Sequence, residues 1–184
     1  MVIIKKNYYL YIENIKDLDL DKLVTNKKII IILRNTKNNK LTEIIKFRQK
    51  CKTKKIKFYV ANNTKIAKSC GADGLYISAH NKKKCYMNIP KIGSAHNFKE
   101  ISEKKFQNCK VIIFSRLFKT QYLYKKSYLG ILKFNLLIKA IDKKIIPLGG
   151  INNQNLLKLN LVNCDGFALM SIVKKKPAIS NRLF

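Results

Sequence analysis

Short runs of β-branched and aromatic residues recur along the whole chain, separated by polar segments that in places carry helical spacing. That alternation is the pattern of repeated βα units feeding a parallel sheet. Eight runs stand out, at residues 8–12, 28–33, 57–60, 74–77, 91–94, 110–114, 144–148 and 166–170. Four are nearly all apolar, as strands buried on both faces should be. Between them, residues 41–54 place Leu41, Ile44, Ile45 and Phe47 on one stripe, and residues 132–141 do the same with Phe134, Leu137, Ile138 and Ile141. Both are predicted helices. Asn97, with Glu100 at the third helical position, makes a capping-box variant that opens a helix to about Phe106, and Asn152 or Asn153 is placed to cap a segment to Leu159.

Eight strands alternating with helices predict an α/β fold: a small, trimmed (β/α)8 TIM barrel forming a single domain over residues 1–184. The intervals between the third, fourth and fifth runs are short, so the third and fourth helices are predicted at only about one or two turns each. Little chain remains after the last strand for an eighth helix. The alternative is an open doubly wound sheet, which requires two of the short runs to be loop.

The chain has 184 residues, and its 47% hydrophobic content suffices for one sizeable core. Thirty-nine Lys and Arg against ten Asp and Glu give a formal charge of +29. Such a charge ordinarily points to nucleic acid or an anionic membrane. Here the excess is almost entirely lysine, spread along the whole length, with arginine only at Arg34, Arg48, Arg116 and Arg182. Guanidinium is the group suited to bidentate base and phosphate recognition, so scattered lysine reads as compositional drift and nucleic acid is not the expected partner. Five cysteines at irregular spacing, with no C-x-x-C, predict reduced thiols rather than disulfides or zinc. The start offers no signal-peptide core and no stretch is apolar enough to span a membrane, so the expected location is the cytoplasm.

Pro147-Leu148-Gly149-Gly150-Ile151-Asn152 follows an apolar run and precedes the Asn-capped segment. Bare backbone N–H groups and a helix N-terminus there would favour an anion, and glycine would leave room for its approach. The alternative is a tight turn that needs positive φ. Residues 164–171 supply the next strand, ending at Met170 and Ser171 on the C-terminal rim, beside the loop where barrels most often hold phosphate. His96, next to Ser94 at a strand end, is a candidate acid/base or substrate contact, with capping or packing as the alternative. His80 reads as a loop residue.

Five segments occur in register: Gly71-Ala72-Asp73-Gly74-Leu75-Tyr76, Ile92-Gly93-Ser94-Ala95-His96, residues 113–120 from Ile113 to Thr120, the Gly149-Gly150 turn, and residues 165–171. Over about residues 27–173 their order resembles thiamine phosphate synthases and the related thiazole tautomerases. The resemblance implies coupling of hydroxymethylpyrimidine pyrophosphate to a thiazole phosphate, giving thiamine phosphate and pyrophosphate. It matches Arg34 and Ser94 to family positions and so marks them as catalytic candidates, and His96 joins them from its place beside Ser94. By the same resemblance substrate contacts fall to Thr120, Gly149, Gly150 and Ser171, with Met170 beside Ser171 added to them, while Arg116 and Lys119 are expected either to contact phosphate or to be solvated rim cations. The implied partners are phosphorylated thiazole and pyrimidine molecules, and self-association is left open.

The departures lie on the diphosphate side. In the strand-two Gln-x-Arg-x-Lys motif the glutamine reads Ile32 and the lysine Thr36, with Lys37 displaced by one. The two aspartates that hold Mg²⁺ in the family correspond to Asn62 and Asn81, so Mg²⁺ is implied by the resemblance but deprived of its carboxylates. After strand six the second threonine and the lysine read Tyr122 and Leu123. Lys37, Lys119 and Lys125 are then expected to share neutralisation of the departing pyrophosphate. The tautomerases carry a histidine where this chain has Arg116. Two other functions stay open: a tautomerase-like isomerase, and a non-catalytic protein that binds phosphorylated ligands or nucleic acid.

Overall fold

Alternate residues of the first strand, Tyr9 and Tyr11, point into a shared interior, while Tyr8, Leu10 and Ile12 face outward into a second apolar layer. The computed structural model describes residues 5, 7–23, 28–120 and 127–170. Within them eight strands run in chain order: β1 (Asn7–Ile12), β2 (Lys28–Leu33), β3 (Lys57–Ala61), β4 (Gly74–Ile77), β5 (Lys91–Ala95), β6 (Val111–Ser115), β7 (Lys144–Leu148) and β8 (Gly166–Leu169). Each pairs in parallel with the next, and β8 returns to β1 with Asn7 opposite Gly166, closing the barrel. Closure excludes the open-sheet alternative.

Because every strand is buried on both faces, inward and outward positions are apolar alike. The interior holds Ile30 and Ile32 of β2, Tyr59 and Ala61 of β3, Tyr76 of β4, and Ile113, Ile146 and Ala168 of later strands. The outer layer is larger, and the helices cover it. Helix α1 (Leu41–Thr53) buries Ile44, Phe47 and Cys51, with Phe47 edge-on to Phe58 of β3 at 5.7 Å. Helix α2 (Thr64–Ser69) is capped by Asn63. Helix α3 (Phe98–Phe106) buries Ile101, and α4 (Gly130–Lys139) buries Phe134 edge-on to Phe114 of β6. Each fully buried residue of this kind contributes roughly 1.5–3 kcal/mol of transfer free energy.

Four expectations need correction. Leu41 sits on the predicted stripe but is 42% exposed, since it lies in the first turn, short of the sheet. No helix joins β4 to β5; residues 78–90 are irregular, because Lys82-Lys83-Lys84 interrupts any apolar stripe, leaving Ala79 buried and Cys85 and Ile89 partly buried against the core. The segment after β7 is a 3₁₀ helix, Leu156–Leu161, that Asn152 and Asn153 do not cap. Asn152 instead accepts the N–H groups of Gln154 and Asn155 in a local turn. In α3 Asn97 caps Glu100 N–H as predicted, but the Glu100 carboxylate takes the N–H of His96 at 2.7 Å rather than that of Asn97. The five cysteines are free thiols. No helix among the described residues is long and apolar enough to cross a membrane.

Candidate active site

The C-terminal ends of the strands surround a cavity of about 280 Å³. Its floor comes from β1, β4 and β5. The Tyr11 hydroxyl donates to that of Tyr76 at 3.1 Å, and Ser94 shares a further hydrogen bond with Tyr76. Burial raises the pKa of both phenols, so they stay neutral hydrogen-bonding groups. Arg34, just past β2, stands over the Tyr11 ring with its guanidinium carbon 5.8 Å from the centroid. It pairs with Glu13 at 3.3 Å and reaches the Met170 sulfur at 2.9 Å. Asn39, buried, braces this corner: it accepts Ile15 N–H and donates to the carbonyls of Glu13 and Asn35.

The opposite wall is built from β5, β6 and β7. Ser115 Oγ and His96 Nδ1 lie 2.6 Å apart, while the Glu100 bond to His96 N–H fixes the histidine backbone. Arg116 approaches Thr120 Oγ1 at 3.5 Å, and its stem lies along Gly149. The loop bearing both residues docks on the β7 turn through Leu117 N–H to Leu148 O and Phe118 N–H to Gly149 O.

That docking changes the meaning of the glycine pair. Gly149 and Gly150 have φ of 100° and 69°. A Cβ on Gly150 would sit 2.4 Å from the carbonyl oxygens of Phe118 and Lys119. Both glycines are therefore required by the turn and by the neighbouring loop, with or without an anion. The helix that follows is a six-residue 3₁₀ turn beginning only at Leu156, so no helix N-terminus faces the cavity there.

The cavity thus gathers Arg34, Ser94, His96, Arg116 and Thr120, together with Gly149, Gly150 and Met170. Lys119 does not line it; the side chain is exposed and the residue contributes its carbonyl to the turn. Ser171, Tyr122, Leu123 and Lys125 lie outside the described residues. His80, read as a loop residue, is on the cavity rim, as is Ser78. Tyr11 and Ser115 were missed, and strand alternation could have placed Tyr11 inside. The Asp73 of the Gly-Ala-Asp-Gly segment is architectural: it accepts Phe58 N–H at 2.7 Å and pairs with Arg48 at 2.8 Å, away from the cavity.

The thiamine monophosphate synthase family profile matches residues 19–173. The chain belongs to that family. Comparison with curated proteins gives no match. Among solved structures it is similar to a thiamine phosphate pyrophosphorylase from Pyrococcus furiosus, with a TM-score of 0.70 and 16% identity over 97% of this chain and 93% of that one. The thiamine phosphate pyrophosphorylase from Bacteroides thetaiotaomicron gives 0.61 and 17% over 90% and 83%. A KGPDC from Streptococcus mutans gives 0.62 and 11% over 97% and 95%, so the barrel is shared with other activities.

Thiamine monophosphate synthases commonly use Mg²⁺, and Asn62 and Asn81, the residues expected at its positions, do not suit it. Asn62 and Asn81 are neighbours, but they bond to each other, Asn81 Nδ2 donating to Asn62 Oδ1 at 3.0 Å. Among the described residues no three His, Cys, Asp or Glu side chains converge.

Proposed function

We propose that this cavity binds a phosphorylated thiazole and hydroxymethylpyrimidine pyrophosphate and couples them to thiamine phosphate, releasing pyrophosphate. The observation that carries the proposal is convergence: the ends of β2, β5, β6, β7 and β8 deliver the family's motif residues into one cavity. The thiazole phosphate docks by Gly149-Gly150, where Thr120 Oγ1 and the Arg116 guanidinium supply donors, with Ser171 assigned to the same phosphate. The diphosphate lies toward Arg34, whose charge opposes the negative charge that grows as the carbon–oxygen bond to pyrophosphate breaks. The thiazole nitrogen then bonds the pyrimidine methylene carbon. Tyr11, Tyr76 and Ser94 form the polar floor for the pyrimidine, and held geometry rather than acid/base strength supplies most of the advantage. His96, bonded to Ser115, contacts the reacting rings from the side. The functional unit is the single barrel, acting in the cytoplasm.

One observation keeps a second function in view. His96 stands in the same cavity as Arg116, so a base is at hand for tautomerase-like proton transfer on a thiazole phosphate even though Arg116 replaces the tautomerase histidine.

Calorimetric titration with thiamine phosphate and with each precursor tests the proposal. Binding is expected at one site per chain, weakened about tenfold or more by Arg116→Ala, since hydrogen bonds to charged groups are worth roughly 1.5–3 kcal/mol. Unchanged affinity in that variant, or no binding of either precursor, contradicts it.

A further inference from the structure

We propose that the cluster of Asn62, Ser78 and Asn81, which reaches the cavity through Ser78, is a closed, uncharged hydrogen-bond knot, and that this chain takes its phosphorylated ligand with no divalent metal there. The inference rests on the proposed function for where a metal would act; the knot itself is read from this chain's own contacts.

Mg²⁺ binds through oxygen, usually with one or two carboxylates to offset its charge. The side-chain oxygens of Asn62, Ser78 and Asn81 and the Asn81 carbonyl all accept hydrogen bonds. Asn62 Oδ1 accepts from Ser78 N–H and from Asn81 Nδ2, each at 3.0 Å, which uses both lone pairs. The orientation of that amide is settled by its partners: only an oxygen can accept the Ser78 backbone N–H, while Asn62 Nδ2 donates to Ser78 Oγ at 3.1 Å. Asn81 Oδ1 accepts Lys83 N–H at 3.0 Å. The backbone carbonyl of Asn81 accepts Lys104 Nζ at 2.8 Å and Gln107 Nε2 at 2.9 Å.

Lys104 adds a charge argument. It is fully buried, it bonds Gln107 Oε1 at 2.8 Å, and Gln107 also donates to Lys83 O. Its stem fills the space over Gly93, where a Cβ would come within 2.8 Å of Lys104 Cγ. An ammonium is thus fixed against the main chain of Asn81, and a divalent cation on the Asn81 side chain would meet its repulsion at close range. The backbone at Asn62, with φ of 54°, is in the left-handed region that asparagine tolerates, which lets its amide turn toward Ser78. Hydrogen bonds therefore join the end of β3 to the β4–β5 connection, the two segments that a metal would otherwise bridge.

The test is Mn²⁺ binding to the full chain, read as loss of the free-ion electron paramagnetic resonance signal. The wild-type protein is expected to leave the Mn²⁺ signal unchanged through the sub-millimolar range, and Asn62→Asp/Asn81→Asp is expected to bind Mn²⁺ at least tenfold more tightly. Stoichiometric sub-millimolar binding by the wild type that Asn62→Ala/Asn81→Ala abolishes would overturn the proposal; binding that survives those changes places the ion elsewhere and supports it. If the double alanine variant does not fold, Asn81→Ser is used in its place. As a second reading, thiamine phosphate affinity is expected to agree within twofold in Mg²⁺ and in chelator, and a tenfold loss in chelator would overturn it. Because Mn²⁺ binding requires no turnover, failure of the synthase reaction and failure of the metal-free cluster are separate results.

Discussion

Tyr11 of β1 and Tyr76 of β4 meet hydroxyl to hydroxyl at 3.1 Å inside the barrel, with their rings edge-on at 5.4 Å. The contact joins strands that are not neighbours in the sheet and makes the cavity floor. Tyr76→Phe leaves the Tyr11 hydroxyl without that acceptor and should cost about 1–2 kcal/mol, measured by urea unfolding. Ligand affinity should fall with it, since the floor loses its link to Ser94.

The same phenols set an alkaline limit. Burial raises the folded pKa of Tyr8, Tyr9, Tyr11, Tyr59 and Tyr76 above the ordinary 10.0. A raised folded pKa means that their contribution to stability is complete below about pH 10 and is lost as pH climbs through the folded values. Absorbance at 295 nm should show these tyrosines ionising only together with unfolding. Smooth ionisation in the folded protein would contradict their burial.

Eight strands were legible from sequence because a parallel barrel buries both faces of each strand, so an apolar run survives wherever a strand occurs. The observed ends differ from the expected ones by one residue or none. Helices were legible where an apolar stripe had room to form, as in α1 and α4, and where a cap marked the start, as Asn97 does for α3. Residues 78–90 carry no stripe, and what holds them is the reach of Lys104 and Gln107 from α3, a relationship that no local pattern contains. The residues lining the cavity were legible where the motifs of the resemblance mark them. The pairs Tyr11–Tyr76 and His96–Ser115 were not, because each joins residues from separate strands. The glycine pair was legible but its cause was not: the carbonyls of Phe118 and Lys119 that require it lie in another loop.

Gly150→Ala is accordingly a test of architecture. The added methyl meets two carbonyl oxygens at a positive φ, so a cost of at least about 1–3 kcal/mol is expected, with displacement of the loop carrying Arg116 and Thr120. Thermal stability and thiamine phosphate affinity should fall together. Loss of affinity at full stability would restore a direct role for the turn alone.

Asp73 should behave as a structural residue. Asp73→Ala removes the acceptor for Phe58 N–H and the partner of Arg48, whose side chain is largely buried, and should cost about 2–3 kcal/mol in urea unfolding. Ligand affinity of the folded variant should remain at the wild-type value, checked by calorimetry.

Lys104 gives a pH signature of opposite sign to the tyrosines. Burial lowers its folded pKa below 10.5, while Cys109 on one side and Glu103 and Glu100 on the other partly oppose that shift. Between the two pKa values the unfolded chain binds more protons, so this residue's contribution improves as pH rises toward 10.5. The stability difference between wild type and Lys104→Met should therefore shift in favour of the wild type across that window. A difference independent of pH would contradict the burial of a titrating ammonium.

The most direct measurement is a phosphorus NMR time course of the purified chain with hydroxymethylpyrimidine pyrophosphate and thiazole phosphate together. Pyrophosphate and thiamine phosphate are predicted to appear in equal amounts, at a rate reduced about tenfold or more by Arg34→Ala. Absence of thiamine phosphate while both precursors bind, or pyrophosphate released to water without coupling, would contradict assignment of the synthase reaction to this cavity.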